Sequence, residues 1–314
     1  MPTAGHIWTI LYGLRGVLQS KDYSGWNWST TSADPLLRQV RLSGILERRS
    51  PERLLVILHG LGGSALSHYG LRLAGEALAR GWSCLRLNAR GSDRQANDFY
   101  HAALTADLEA ALASSELAGF SEVALAGFSL GGHVALRYLS DGPEARIRAA
   151  ATVCSPLDLD ACARKIDGPA AWLYRRYLLG RLKEIYRLVR PERPDLPPVE
   201  EIEPIRTIRA WDDVVVAPRH GFAGAADYYA RASAGPHLSR IATPTLFLAS
   251  RGDPMVPAAS LEPSLAAASP AIVSHWATGG GHVALPGLDL DQQARTGPEP
   301  QILSWLESRL AAAD

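Results

Sequence analysis

The chain has 314 residues, of which 47% are hydrophobic and 20% charged, and its 32 Lys/Arg balance its 32 Asp/Glu. That composition suits a globular protein with a substantial core. A net charge of zero excludes the basic surplus that a nucleic-acid binder needs for its phosphate contacts.

Three scattered cysteines, Cys84, Cys154 and Cys162, have no zinc-type spacing. Their odd count points to reduced thiols in a reducing compartment rather than a disulfide framework. The N-terminus lacks the basic start and small-residue cleavage pattern of a secretory signal, so a cytoplasmic location is expected. The apolar stretch from Ile7 to Leu18 is short and broken by Arg15, which is too little to span a bilayer; packing on the domain is the expected role.

Along the chain, Leu54-Leu55-Val56-Ile57-Leu58 is a continuous apolar run that reads as a buried parallel strand ending at His59-Gly60. Ala65 to Arg80 is helical in composition and stops at Gly81. Trp82 to Leu87 is the next strand, and Ala102 to Leu117 the next helix. Glu122 to Ala126 is a strand that runs into Gly127-Phe128-Ser129-Leu130-Gly131, followed by a helix from Gly132 to Leu139 and a strand from Ala149 to Val153. The alternation then stops. From Pro156 to about Ser239 the chain is rich in Pro, Arg and aromatic residues. It resumes with a strand at Pro244–Ala249, a helix at Ala258–Ala268, a last strand at Ala271–Trp276 and a terminal helix at Ile302–Ala312. Strand–helix alternation implies one α/β domain with a mostly parallel, doubly wound sheet covered on both faces. Residues 156–239 are an insertion into it.

The pentapeptide Gly127-Phe128-Ser129-Leu130-Gly131 reads G-x-S-x-G, the nucleophile elbow of the α/β-hydrolase fold. Serine is a poor nucleophile unless a histidine takes its proton, and the histidine needs a carboxylate to hold its tautomer. In this fold the chain order is Ser, acid, His, each past the C-terminal end of a strand. Asp253, in Ser250-Arg251-Gly252-Asp253-Pro254, and His282, in Gly279-Gly280-Gly281-His282-Val283, occupy those places. The oxyanion hole needs two backbone N–H donors, assigned to Leu130 and, in the loop His59-Gly60-Leu61-Gly62-Gly63-Ser64, to Leu61. A phosphate-binding loop is excluded there because no G-K-[ST] follows.

The remaining histidines read as structural. His59 braces the oxyanion loop, His133 packs behind the elbow, and His101 has no obvious partner. His220 lies near Asp212 and Asp213, but adjacent aspartates point in different directions on any regular element, so no metal site is assigned. Within the insertion, Trp172 to Arg190 can form a helix with Tyr174, Leu178, Leu182, Ile185 and Val189 on one stripe. Between Arg164 and Arg193 there are nine Lys/Arg and three Asp/Glu. A helix docked on the core with a solvated basic face is expected there, in preference to a membrane-binding lid.

Five stretches together carry a closer resemblance: His59-Gly60-Leu61-Gly62-Gly63, Asn88-Ala89-Arg90-Gly91, Gly127 to Gly132, Asp253-Pro254-Met255-Val256-Pro257 and Gly280-Gly281-His282-Val283. The set resembles the YheT/EMB8 (Embryogenesis-associated) family of α/β-hydrolases. Trp211-Asp212-Asp213, Ala217-Pro218-Arg219-His220-Gly221-Phe222 and Asp227-Tyr228-Tyr229 are similar to that family's F-D-x…A-P…H-G-F…Y-Y pattern, and His6-Ile7-Trp8-Thr9 to its H-L-Q-T, with Trp8 in place of Gln. The resemblance implies a hydrolase with Ser129, Asp253 and His282 as its triad. Relatives are described as carboxylesterases, acylglycerol lipases or phospholipases, which implies a small-molecule or lipid-like ester substrate and no cofactor. The hydrophobic N-terminal anchor of animal members has no counterpart, which weakens a membrane-lipid reading. Acyl transfer to an alcohol is the alternative activity, although no H-x4-D motif surrounds His101; a non-catalytic binding protein is the third. Nothing in the sequence fixes an oligomeric state.

Overall fold

The computed structural model describes residues 4–10 and 27–311, so residues 11–18 of the apolar N-terminal stretch and Ala312 lie outside the described residues. In chain order the strands are β1 (Trp28–Asp34), β2 (Arg38–Glu47), β3 (Arg53–Leu58), β4 (Ser83–Leu87), β5 (Glu122–Phe128), β6 (Ile147–Val153), β7 (Thr245–Ser250) and β8 (Ile272–Ala277). They lie side by side in the order β1-β2-β4-β3-β5-β6-β7-β8. From β4 to β8 all pairs are parallel, while β1–β2 and β2–β4 are antiparallel.

The mostly parallel sheet matches the sequence expectation, with one addition. The hairpin β1–β2 was not expected. Its strands form the edge of the sheet; β1 and the start of β2 bury alternate positions such as Trp28, Val40 and Leu42, and the buried run Leu42-Ser43-Gly44 holds one apolar side chain, so they carry no continuous apolar run. Arg38, at φ 65°, begins β2 at the tip of this hairpin. The helix expected from Ala102 to Leu117 is shorter, Ala106–Leu112. Beyond it lie Ser114 and Ser115, whose hydroxyls compete with helical hydrogen bonding.

Helices cover both faces. The central strands are buried on both sides, and successive residues split between two cores. Leu54, Val56 and Leu58 of β3 join Leu108 and Leu112 of α2 (Ala106–Leu112) and Leu136 and Leu139 of α3 (Leu130–Ser140). Leu55 and Ile57 face the other way, toward α1 (His68–Ala79) and the C-terminal helix Pro298–Leu310. This alternation follows from the two-residue period of a strand.

Between β6 and β7 the chain leaves the sheet. It forms α4 (Leu159–Asp167), α5 (Trp172–Val189), several single turns and α6 (Ala225–Ala232). All five residues of the predicted stripe on α5 are buried. Leu178, Leu182, Ile185 and Val189 join a third core that includes Tyr186, Trp211, Tyr228 and Tyr229. The helix Ala258–Ala266 then connects β7 to β8. Among the described residues no helix is long and apolar enough to cross a membrane.

A buried charge cluster joins this insertion to the sheet edge. Arg90 donates from Nε and Nη2 to both oxygens of Asp107, at 3.0 and 2.6 Å, and from Nη1 to Asp34 at 2.6 Å and Asp98 at 2.8 Å. Arg219 and Arg193, from the insertion, also reach Asp98, at 2.9 and 2.8 Å, and Arg219 reaches Asp34 at 2.8 Å. Burial alone would raise the Asp34 carboxyl, but the Leu37 N–H and the Arg90 and Arg219 guanidiniums outweigh it and hold that carboxyl well below its ordinary 3.8.

Two stability outcomes follow. Arg90→Ala leaves three buried carboxylates short of a cation and should cost about 3–5 kcal/mol of unfolding free energy in urea titration. The folded pKa of Asp34 lies below its unfolded 3.8, so its contribution is complete above about pH 5 and drains as pH falls through 3.8 and below. Asp34→Asn should therefore lower stability at pH 7 and flatten the acid limb of the stability–pH curve.

Candidate active site

A single residue joins β5 to α3. Ser129 makes that turn at φ 51°, ψ −120°, a conformation that costs on the order of 1–3 kcal/mol for a residue with a Cβ. The surrounding backbone holds it there. A Cβ on Gly127 would lie 2.3 Å from the Gly132 Cα, and one on Gly131 would lie 2.3 Å from the Leu58 carbonyl oxygen. Only glycine allows strand, turn and helix to approach this closely. The turn lifts the Ser129 hydroxyl into a cavity at the C-terminal edge of the parallel strands.

The acid and the histidine arrive from the next loops along that edge. Asp253 follows β7, and its Oδ1 accepts from the N–H groups of Met255 and Val256 at 2.8 and 3.0 Å. That fixes the carboxylate and leaves Oδ2 to accept from His282 Nδ1 at 2.8 Å. His282 Nε2 stands 2.9 Å from Ser129 Oγ. A carboxylate can only accept, so Nδ1 carries the imidazole proton and the Nε2 lone pair faces the serine hydroxyl. The sequence-predicted Ser129, Asp253 and His282 are thus brought into one hydrogen-bonded chain.

Cys154 lies beside this pair, with its sulfur within 4.8 Å of the Asp253 and His282 ligand atoms. Burial, and then the neighbouring Asp253, push its thiol well above the ordinary value. It remains a protonated thiol packed behind an acid–base pair.

The loop after β3 faces Ser129. Its amides on either side of Leu61 are engaged: the Gly60 N–H donates to the Tyr69 hydroxyl at 2.8 Å, and the Gly62 N–H to the Tyr100 hydroxyl at 2.7 Å. His59 braces the loop. Its Nε2 accepts from the Ala89 N–H at 3.0 Å, so Nδ1 holds the proton and donates to the Gly60 carbonyl at 2.8 Å. Burial pulls His59 down to about 4, which keeps it neutral. Leu61 and Leu130 both line the cavity, and Leu130 is the first residue of α3, where an N–H has no partner within the helix.

One contributor escaped residue-by-residue reading. Residues 4–10 are helical and press against the acid and histidine loops. A Cβ on Gly281 would lie 2.2 Å from the Gly5 carbonyl oxygen, so the two backbones touch. The Thr9 hydroxyl accepts from the His282 N–H at 2.8 Å and donates to the Gly5 carbonyl at 2.8 Å. His6 lies flat against Tyr174 of α5, with ring centroids 5.6 Å apart and Nδ1 3.0 Å from the tyrosine oxygen. The signal was the His6-Ile7-Trp8-Thr9 stretch, which the resemblance had marked without a role.

The cavity measures about 440 Å³ and runs from Ser129 and His282 to the insertion, which contributes Leu178, Leu182, Ile185 and Trp211 among others. His133 lies behind it, its ring nitrogens 2.8 and 2.9 Å from the Pro156 and Ala232 carbonyls, in the packing role expected of it. His101 lines the cavity and packs at a tilt against His220, with centroids 4.3 Å apart. Burial, and then the His220 ring, lower His101 well below its ordinary value. Asp107, six residues after His101, is held by two nitrogens of Arg90. Asp212 and Asp213 do diverge: Asp212 accepts from the Tyr229 hydroxyl at 2.6 Å, and Asp213 from the Ala225 N–H at 2.8 Å.

Comparison with known proteins agrees with this architecture. The sequence profile of the alpha/beta hydrolase fold matches residues 53–285. YheT of Escherichia coli, which bears an esterase name, is 33% identical over 82% of this chain and 74% of its own. A phospholipase of Bos taurus, ABHD3, is 26% identical over 73% of this chain, which spans 57% of that relative's length. Among solved structures, the Pyrococcus furiosus esterase Pf2001 superposes with a TM-score of 0.59 at 15% identity, covering 93% of this chain and 96% of that one. At that identity the likeness shows the fold. The chain belongs to the α/β-hydrolase family, in its YheT-like branch.

Proposed function

We propose that the protein is a serine hydrolase of carboxylic esters, with residues 156–239 as the cap of a single domain. The observation that carries this reading is the continuous hydrogen-bonded chain from Ser129 through His282 to Asp253 at the wall of a largely apolar cavity. His282 Nε2 takes the Ser129 proton as Oγ attacks the ester carbonyl. The Leu61 and Leu130 N–H groups hold the oxyanion that forms. Asp253 stabilises the imidazolium and keeps its orientation. His282 then protonates the leaving alcohol, and in the second half it activates a water that releases the acid. No cofactor enters these steps. The cap's apolar walls suit a lipid-like or otherwise apolar ester. The three free cysteines are buried, which fits a reducing compartment, and we place the protein in the cytoplasm.

Labelling with a fluorophosphonate probe and hydrolysis of a p-nitrophenyl ester series test the nucleophile. Ser129→Ala should abolish labelling and lower kcat by ~10⁴–10⁶. A loss under tenfold would sink the assignment. Thr9 lines the cavity, but its hydroxyl is committed to the His282 N–H and the Gly5 carbonyl, so it acts through the His282 backbone. Thr9→Ala should therefore lower kcat roughly tenfold with KM nearly constant, and Thr9→Ser should restore it. Equal kcat in all three proteins would show that the contact is dispensable.

A further inference from the structure

The cavity that holds Ser129 is walled mainly by apolar and aromatic side chains, and among the described residues Asp212 is the one carboxylate that lines it; the triad's acid stands behind His282. We propose that Asp212, oriented by Tyr229, is a second recognition point that binds a hydroxyl group carried by the substrate away from its scissile ester. This rests on the ester-hydrolase reading above and adds the substrate's chemical class to it.

The local backbone is unusual at this residue. Asp212 opens a π-helical turn, Asp212–Val216, directly after the helical turn Ile208–Trp211. Such turns break the regular ladder and gather at functional sites. This one carries Asp212 to the cavity and Asp213 away from it. The Tyr229 hydroxyl donates to Asp212 Oδ2 at 2.6 Å. Among the described residues the other oxygen, Oδ1, has no hydrogen-bond partner, and part of the Asp212 surface remains open to the cavity.

Among the described residues Asp212 makes no salt bridge. The neighbouring Arg209 is engaged by Asp160 and lies over the Tyr229 ring, 5.2 Å from its centroid. Burial, reinforced by the nearby Asp167, raises the Asp212 carboxyl to about 7 against the pull of Tyr229 and Arg209. Near neutral pH it is therefore present in both forms. A hydroxyl can serve both, donating to the carboxylate and accepting from the acid. An anion would be repelled by the first form. A plain alkyl chain would bury that oxygen without giving it a partner, which is the costly outcome. The adjacent rings face one another, Trp211 edge-on to Tyr186 and Tyr228 beside Tyr229, so they form no open cage for a quaternary ammonium.

The hydroxyl can arrive on the acyl chain or on the alcohol, and matched ester pairs separate the two. One arm compares p-nitrophenyl esters of hydroxyacyl chains with unsubstituted chains of equal length. The other compares simple acyl esters of a diol with those of the corresponding mono-alcohol. The wild-type protein should favour the hydroxylated member of one arm by roughly tenfold or more in kcat/KM, and that arm identifies the source. Asp212→Leu combined with Tyr229→Phe replaces both partners by apolar groups, so no polar atom is stranded. In it the preference should collapse toward unity, while Tyr229→Phe alone keeps the carboxyl without its orienting bond and should weaken the preference only in part. No preference in either arm at any chain length overturns the proposal. So does an equal loss on both members in the double variant, because that marks Asp212 as structural. Equilibrium binding of the same pairs to the Ser129→Ala protein needs no turnover. Equal affinities there overturn the Asp212 site, whereas a hydroxyl preference without any wild-type turnover supports the site and overturns the ester reading alone.

Discussion

The backbone between β5 and α3 must reverse within one residue, and the close stacking of Gly127 on Gly132 leaves Ser129 no other conformation. Much of the site's geometry follows from that constraint. It fixes the direction of the serine hydroxyl and leaves the Leu130 N–H at the open end of a helix, where the helix dipole also favours developing negative charge. It brings Leu58 and His59, at the end of β3, against Gly131, so the loop after β3 is built on the same contact as the Ser129 turn. Strain at one position is thereby shared by two parts of the machinery, and the buried sheet on both sides supplies the rigidity that sustains it.

The acid and the histidine depend on softer structure. Asp253 is held by two amide donors of its own loop, but the His282 loop is glycine-rich, with Gly280 at φ 105° and Val283 at φ 52°. Such a loop has little intrinsic preference for one geometry. Its support comes from outside, through Thr9 and the backbone of Gly5, and the same N-terminal residues contact Tyr174. The segment farthest from His282 in sequence is thus the one that holds it, and the same segment meets the cap.

The parts of this arrangement that were legible in the sequence share a property: each is announced by local chemistry. Continuous apolar runs ending in glycine marked β3 and β5, and chain order marked Asp253 and His282 once Ser129 was fixed. The edge hairpin was not legible, because β1 and β2 carry no continuous apolar run and their polar faces resemble loop. Nor was the purpose of Arg90 or Arg219. Each stands in a motif, but their shared partner Asp98 lies in a loop without periodicity, and Asp34 lies on a strand that gave no signal. Contacts spanning 121 and 185 residues leave no trace in spacing. Thr9 escaped for the same reason, 273 residues from the amide it receives.

The charge cluster around Arg90 has a further physical character. Arg90, Arg193 and Arg219 are buried, as are Asp34 and Asp98. Mobile counter-ions screen charges they can approach, over about 8–10 Å at physiological ionic strength, and they cannot approach these. The cap's ionic attachment to the sheet edge is therefore insulated from salt, unlike the exposed pair of Arg187 with Glu203 on its surface. Changes in osmotic or ionic conditions act on the outside of the insertion and leave its anchorage to the sheet edge as it was.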